Sequence, residues 1–186
     1  MASSPPLKAI NERRHAEGIQ GPYPLVSSSE KNPIPLLMAS RAEIDYPCFV
    51  PDHITSCGPI LRPCGRISEE CPDLAQWLSQ GSTVLINLGS NVLCGSEQAR
   101  KLAGSLRRLL DARPDIQVLW KLRPGLENGA TDWVPAALKT IFDEVTAGRV
   151  RLEEWLPVMP SCILQSGQVC CMVHHGGANS YNEAVK

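Results

Sequence analysis

Residues 173–186 read VHHGGANSYNEAVK, and this is the stretch whose residue types could do chemistry. An apolar run, VCCMV, gives way to His174 and His175, then to Gly176 and Gly177, and then to residues of helical type. Glycines there let a ligand come close to the backbone, because no Cβ stands in the way. The free N–H groups of a helix's first turn, with the positive end of its dipole, suit an anion such as phosphate. A histidine beside them adds a donor able to carry positive charge. His174 and His175 are adjacent, point in different directions and make a poor metal pair, so one is assigned to a ligand and the other to the fold. Ser180-x-x-Glu183 also has the spacing of a capping box, in which serine and glutamate satisfy the helix's own N–H groups. Capping accounts for Ser180 and Glu183 without any ligand. It does not account for His175-Gly176-Gly177.

Such a stretch needs elements to position it. From Thr83 onward, strands alternate with helices. TVLINLG is a β-rich apolar run closed by Gly89-Ser90, and SEQARKLAGSLRRLLDARP follows it with Ala99, Leu102, Ala103, Leu106, Leu109 and Leu110 at helical spacing. IQVLWKL is a second strand, ended by Pro124-Gly125. TDWVPAALKTIFDEVTAG reads as a second helix, capped by Thr131 or Asp132 and stopped at Gly148. RVRLEEWLP gives a third strand, PSCILQSG a short helix with Pro160 in its first turn, QVCCMV a fourth strand, and ANSYNEAVK the start of another helix. Apolar strands in this alternation predict an α/β fold, a parallel doubly wound (Rossmann-like) sheet covered on both faces. Ligands of such sheets bind beyond the carboxyl ends of the strands, here residues 89–91, 122–124, 154–157 and 174–180.

The segment ahead of that sheet is different. Residues 1–71 hold many of the 16 prolines and read as loops and short strands, with LKAINERRHAEG a short helix ending at Gly18. The chain divides on this reading into residues 1–80, an irregular segment, and residues 81–186, the sheet. A net charge of -1 with no Lys/Arg cluster argues against a nucleic-acid partner held by charge. No apolar stretch is long enough to span a membrane, and residues 1–14 lack the apolar centre of a signal peptide, so a cytoplasmic location is expected. The eight cysteines include no C-x-x-C pair and are expected to be free and mostly buried rather than a metal site.

Taken together, WLP at 155–157, IL at 163–164 and VHHGGANSYNEA at 173–184 resemble the donor-binding signature of the nucleotide-sugar-dependent glycosyltransferases, the UDP-glycosyltransferase superfamily, in a fungal wording. TVLINLGS and VLWKL resemble the first two strands of that family's C-terminal domain, and IDYPCFVPDHITSCGPIL resembles the exit from its N-terminal domain. Two departures stand out: Pro157 is followed by Val158-Met159-Pro160 where the family has Pro-Gln, and Ala178 stands where plant members often carry tryptophan.

The resemblance implies a partial C-terminal donor domain of a two-domain glycosyltransferase fold, with residues 1–80 as the end of the acceptor domain and the interdomain linker. It implies transfer of a sugar from a UDP-sugar to a hydroxyl of a small lipophilic or phenolic acceptor, with inversion, no metal and no other cofactor. Trp155 would stack on uracil, and the backbone near Leu156 would bond the base edge. His175 would meet the diphosphate with N–H groups around Gly177, Asn179 and Ser180, while Glu183 would accept from the ribose hydroxyls and Ser90 would lie near the phosphates. From its residue type alone, Trp155 is equally suited to a buried core. The family's general base is an N-terminal-domain histidine that neither His15 nor His53 matches, so no catalytic residue is assigned. The chain is expected to be a truncated fragment without turnover of its own. The alternative is a non-catalytic nucleotide- or partner-binding remnant of such an enzyme.

Overall fold

A computed structural model describes residues 5–20, 35–40, 46–47 and 49–185. They form two compact units, divided between Ile60 and Leu61. In the first, helix α1 (Pro5–Ala16) ends where Gly18 turns the chain at φ 76°, its N–H bonded to His15 O at 3.0 Å. The strands β1 (Leu36–Met38) and β2 (Ile54–Ser56) pair in parallel, and their length of 3 residues each fits the proline-rich reading.

The second unit is the α/β body. It opens with the short helix α2 (Ile67–Glu70) and with α3 (Pro72–Leu78), which carries Pro72 in its first turn where a missing N–H costs nothing. Four parallel strands follow in the spatial order β5-β4-β3-β6: β3 (Ser82–Asn87), β4 (Ile116–Lys121), β5 (Val150–Glu153) and β6 (Val169–His174). Helix α4 (Ser96–Ala112) crosses between β3 and β4 and buries Ala99, Ala103, Leu106 and Leu110. These are four of the six positions that helical spacing singles out, and the other two, Leu102 and Leu109, are half-buried against the same core.

Alternation along the central strands sorts their side chains onto two faces. Val84, Ile86, Val118 and Trp120 pack with α4 and with Ala137, Leu138 and Ile141. Leu85 and Leu119 point the other way, against Leu74 and Leu78 of α3 and Ile163. The doubly wound parallel arrangement is therefore present, with helices on both faces. Helix α3 precedes residue 81, where the sequence divides the chain, yet its two leucines are fully buried in this unit. Gln117 ties that helix down, its buried amide nitrogen lying 2.9 Å from Thr83 Oγ1 and 3.1 Å from Trp77 O.

Three details differ from the sequence reading. Residues 131–148 do not form one helix but three short pieces: α5 (Val134–Ala137), a 3-10 turn (Lys139–Ile141) and α6 (Phe142–Thr146). Pro135 fits only in a first turn, so the helix begins at Val134 and Trp133 occupies the cap position in place of Thr131 or Asp132. Gly148 ends the segment as expected, at φ 78°, and the short helix with Pro160 in its first turn follows as α7 (Pro160–Leu164).

The second difference is β6. Its register slips between Thr83 and Val84, with Cys170 bulged out, so Met172 and Val169 pack inward while Cys171 and Val173 are exposed. Coverage of both faces holds for β3 and β4 and fails on this outer strand.

The third concerns the thiols. Those described are free, but only Cys94 and Cys162 are buried; Cys57, Cys170 and Cys171 are exposed, and Cys48 lies outside the described residues. No helix among the described residues is long and apolar enough to cross a membrane.

Candidate functional site

Parallel pairing lines up the carboxyl ends of the four strands. Glu153, Lys121, Asn87 and His174 are Cα partners across the row β5-β4-β3-β6. Two adjoining cavities open beyond that row. One, of about 490 Å³, is walled by Trp155, Leu156 and Pro157 on the β5 side, with Arg62 and Glu70. The other, of about 620 Å³, is walled by Gly89, Ser90, His175, Gly177, Asn179 and Ser180. Asn87, Lys121 and Pro160 line both, so the two form one cleft over the middle of the sheet. Clefts of this size and position are where doubly wound sheets hold ligands.

Of the residues singled out in the sequence, Trp155 and Leu156 fall in the first cavity, and Ser90, His175, Gly177, Asn179 and Ser180 fall in the second. Glu183 lines neither. It is half-buried on α8 (Ala178–Ala184), and burial pushes its carboxyl above the usual range. Trp155 is 53% exposed, which removes the core alternative for it. The fully buried tryptophan of this unit is Trp120.

The capping box is not formed. Gly177, in extended conformation at φ -63° and ψ 142°, caps α8, and the first helical bond runs from Tyr181 N–H to Gly177 O at 2.9 Å. Ser180 thus sits inside the first turn, so no serine–glutamate exchange across the cap is possible. The N–H groups of Ala178, Asn179 and Ser180 precede any helical carbonyl partner, and all three residues face the second cavity.

The two histidines separate as their adjacency requires. His174 turns to the fold: its Nδ1 accepts the Gly176 N–H at 3.2 Å, and its ring lies 6.4 Å from that of Tyr181. His175 is exposed in the second cavity with its imidazole wedged between two glycines. A Cβ at Gly89 would lie 2.7 Å from His175 Cε1, and one at Gly177 would lie equally close to the same atom. Gly177 therefore makes room for His175, not for a ligand. Gly176 supplies the turn, at φ 79°.

Among the residues without a role in the sequence reading, Asn87 and Lys121 line both cavities, and Arg123 stands beside them at the Trp155 ring. Asn87 is buried and its Oδ1 accepts the Gly89 N–H at 3.2 Å, fixing the loop that passes under His175. Lys121 Nζ lies 4.1 Å from the Trp155 ring centroid and donates to Gly89 O at 3.2 Å. The Arg123 guanidinium stands 4.4 Å from the same centroid and donates to Ser90 O. Burial, and then the neighbouring Arg123, lower the pKa of Lys121. A single charged residue closing a buried strand was the available signal for it.

No protein-family model matches the sequence. Glycosyltransferase sdnJ of Sordaria araneosa is 40% identical to it over 193 residues, an alignment covering 98% of this chain and 36% of that protein. The chain thus spans about a third of the length of this curated relative. A crystal structure of Glycyrrhiza uralensis UGT73P12 complexed with glycyrrhetinic acid 3-O-monoglucuronide overlaps 61% of this chain and 22% of that one, at a TM-score of 0.47 and 21% identity. Along nearly its whole length, then, this chain is a homologue of part of a glycosyltransferase, the kind of protein its carboxyl-terminal motif resembles.

Proposed function

We propose that the second unit is a donor half-site for a UDP-sugar, within a glycosyltransferase that moves the sugar to a hydroxyl of a small lipophilic or phenolic acceptor with inversion. The observation that carries this is the single cleft made of two cavities, an aromatic one at Trp155 and a donor-rich one at His175, joined over Asn87 and Lys121. A UDP-sugar has that same order of parts: a flat base, a ribose and a doubly charged diphosphate.

In this reading uracil lies against the Trp155 indole, with the backbone at Leu156 bonding its edge. The diphosphate reaches toward His175, Ser90 and the first-turn N–H groups around Gly177, Asn179 and Ser180. Transfer would proceed as a base removes the acceptor's proton, the acceptor oxygen bonds to the anomeric carbon, and the bond to UDP breaks with its electron pair passing to the diphosphate. His175 and the backbone donors stabilise that growing charge, so the reading calls for no metal ion. The base is assigned to no residue of this chain. Glu183 as a ribose ligand requires the ribose to reach beyond the cavity walls, and it is the least supported of these roles.

Calorimetric titration of the 186-residue chain with UDP, ADP and uridine tests the reading. Saturable heat is expected with UDP, and weaker heat with uridine and with ADP. Equal binding of UDP and ADP would leave a phosphate site without a uracil pocket and sink the UDP-sugar assignment.

A further inference from the structure

Among the described residues Lys121 makes no ion pair, and neither does Arg123, which shares the Trp155 ring with it. Glu153, its register neighbour on β5, is committed to Arg151, with Oε1 2.7 Å from Arg151 Nε. Its ammonium has three N–H donors and gives one to Gly89 O. Two cations therefore gather at one indole, partly withdrawn from water, without a carboxylate between them. Such an arrangement is costly to keep and is relieved when an anion enters.

The position of Lys121 says which part of a ligand would provide that anion. Its side chain lines both cavities, standing between Trp155 on one side and the Gly89–His175 contact on the other. A nucleotide with its base at Trp155 and its terminal phosphate at His175 must pass its phosphates over this ammonium.

We propose that Lys121 is a further ligand-binding residue of the cleft, receiving the diphosphate midway between Trp155 and His175. This rests on the donor-site reading above. Lys121 recognises charge rather than the base: its contribution should be present for UDP, smaller for UMP and absent for uridine. Arginine in its place keeps the charge and most of the affinity, whereas glutamine removes both.

The test is calorimetry of the wild-type chain, K121Q and K121R with UDP and uridine. A charge-assisted contact predicts that K121Q loses about tenfold to hundredfold in UDP affinity. Its uridine affinity should stay within about twofold, and K121R should recover most of the loss. Equal UDP affinity in K121Q and wild type would overturn the proposal and leave the donor site standing. Parallel losses for UDP and uridine would overturn it too, because they mark a structural role. Absence of any UDP heat in the wild type would remove the donor site and this proposal with it. A second measurement does not depend on the variant folding. Acylation of wild-type lysines, read by mass spectrometry, should slow at Lys121 with UDP but not with uridine, while Lys101 and Lys139 keep their rates. Unchanged Lys121 reactivity under saturating UDP contradicts the proposal.

Discussion

The imidazole of His175 rests against Gly177 in the space that a Cβ would take. Gly89 closes the ring's other side, so two glycines from separate loops hold one histidine over the cleft. Gly177→Ala must push the imidazole aside or distort the start of α8. Its conformation, at φ -63°, suits alanine, so the effect comes from the contact alone. We expect UDP affinity to fall roughly tenfold, as when a charge-assisted bond is lost, with uridine affinity unchanged. Calorimetry with both ligands checks this. Equal losses for both would mean that the glycine serves the fold instead.

Trp155→Ala should do the opposite. Base–aromatic stacking is worth about 1–3 kcal/mol per base, so uridine and UDP should weaken together by about tenfold or more. Because Trp155 is a surface residue, the melting temperature should hardly move. A large drop in stability without loss of uridine binding would return this tryptophan to a structural role.

The core gives a contrasting prediction. Leu119 of β4 is fully buried on the α3 side of the sheet, and Leu119→Ala should cost about 2–5 kcal/mol in denaturant unfolding. A cost under about 1 kcal/mol would show that this face is not packed as described.

Two carboxylates titrate with opposite sign. Glu127 Oε1 accepts the Ser96 N–H at 2.6 Å at the mouth of α4, and that bond holds its carboxyl below the ordinary 4.5. Its contribution is complete above pH 4.5 and is lost as the pH falls through the lower folded value. Glu127→Gln should therefore lower stability at neutral pH and flatten the decline in acid. Glu183 is pushed above 4.5 by burial, so its ionised form penalises the fold at neutral pH, and the penalty shrinks as the pH falls toward 4.5. Glu183→Gln should raise the melting temperature at pH 7, with the difference from wild type closing near pH 4.5. Thermal melts across that range read both. A neutral-pH destabilisation in Glu183→Gln would contradict the burial argument.

What the sequence disclosed was whatever a local pattern encodes. β3 and β4 are apolar, β-rich runs, and α4 repeats its alanines and leucines at helical spacing, so their positions follow from residue types alone. Residues 131–148 misled because helical composition hides what Pro135 forbids. The capping box misled for a related reason: Ser180-x-x-Glu183 has the right spacing, but Gly177 takes the cap three residues earlier. The motif at 173–184 lines one side of the second cavity, and it stood out because its glycines and histidines are unusual together. Lys121 and Asn87 escaped because their place comes from strand register, which pairs them with each other and Asn87 with His174. The seating of His175 against Gly89 is likewise a meeting of distant segments, and no pattern within either predicts it.

Amide chemical-shift mapping with UDP tests whether the carboxyl ends of β3, β4, β5 and β6 form a nucleotide cleft. Perturbed resonances are expected in three separate groups: Gly89 with Ser90, Trp155 with Leu156, and His175 through to Ser180. Uridine should reproduce only the Trp155–Leu156 group. Millimolar UDP that leaves all three groups unmoved, or that perturbs residues away from this row, would contradict it.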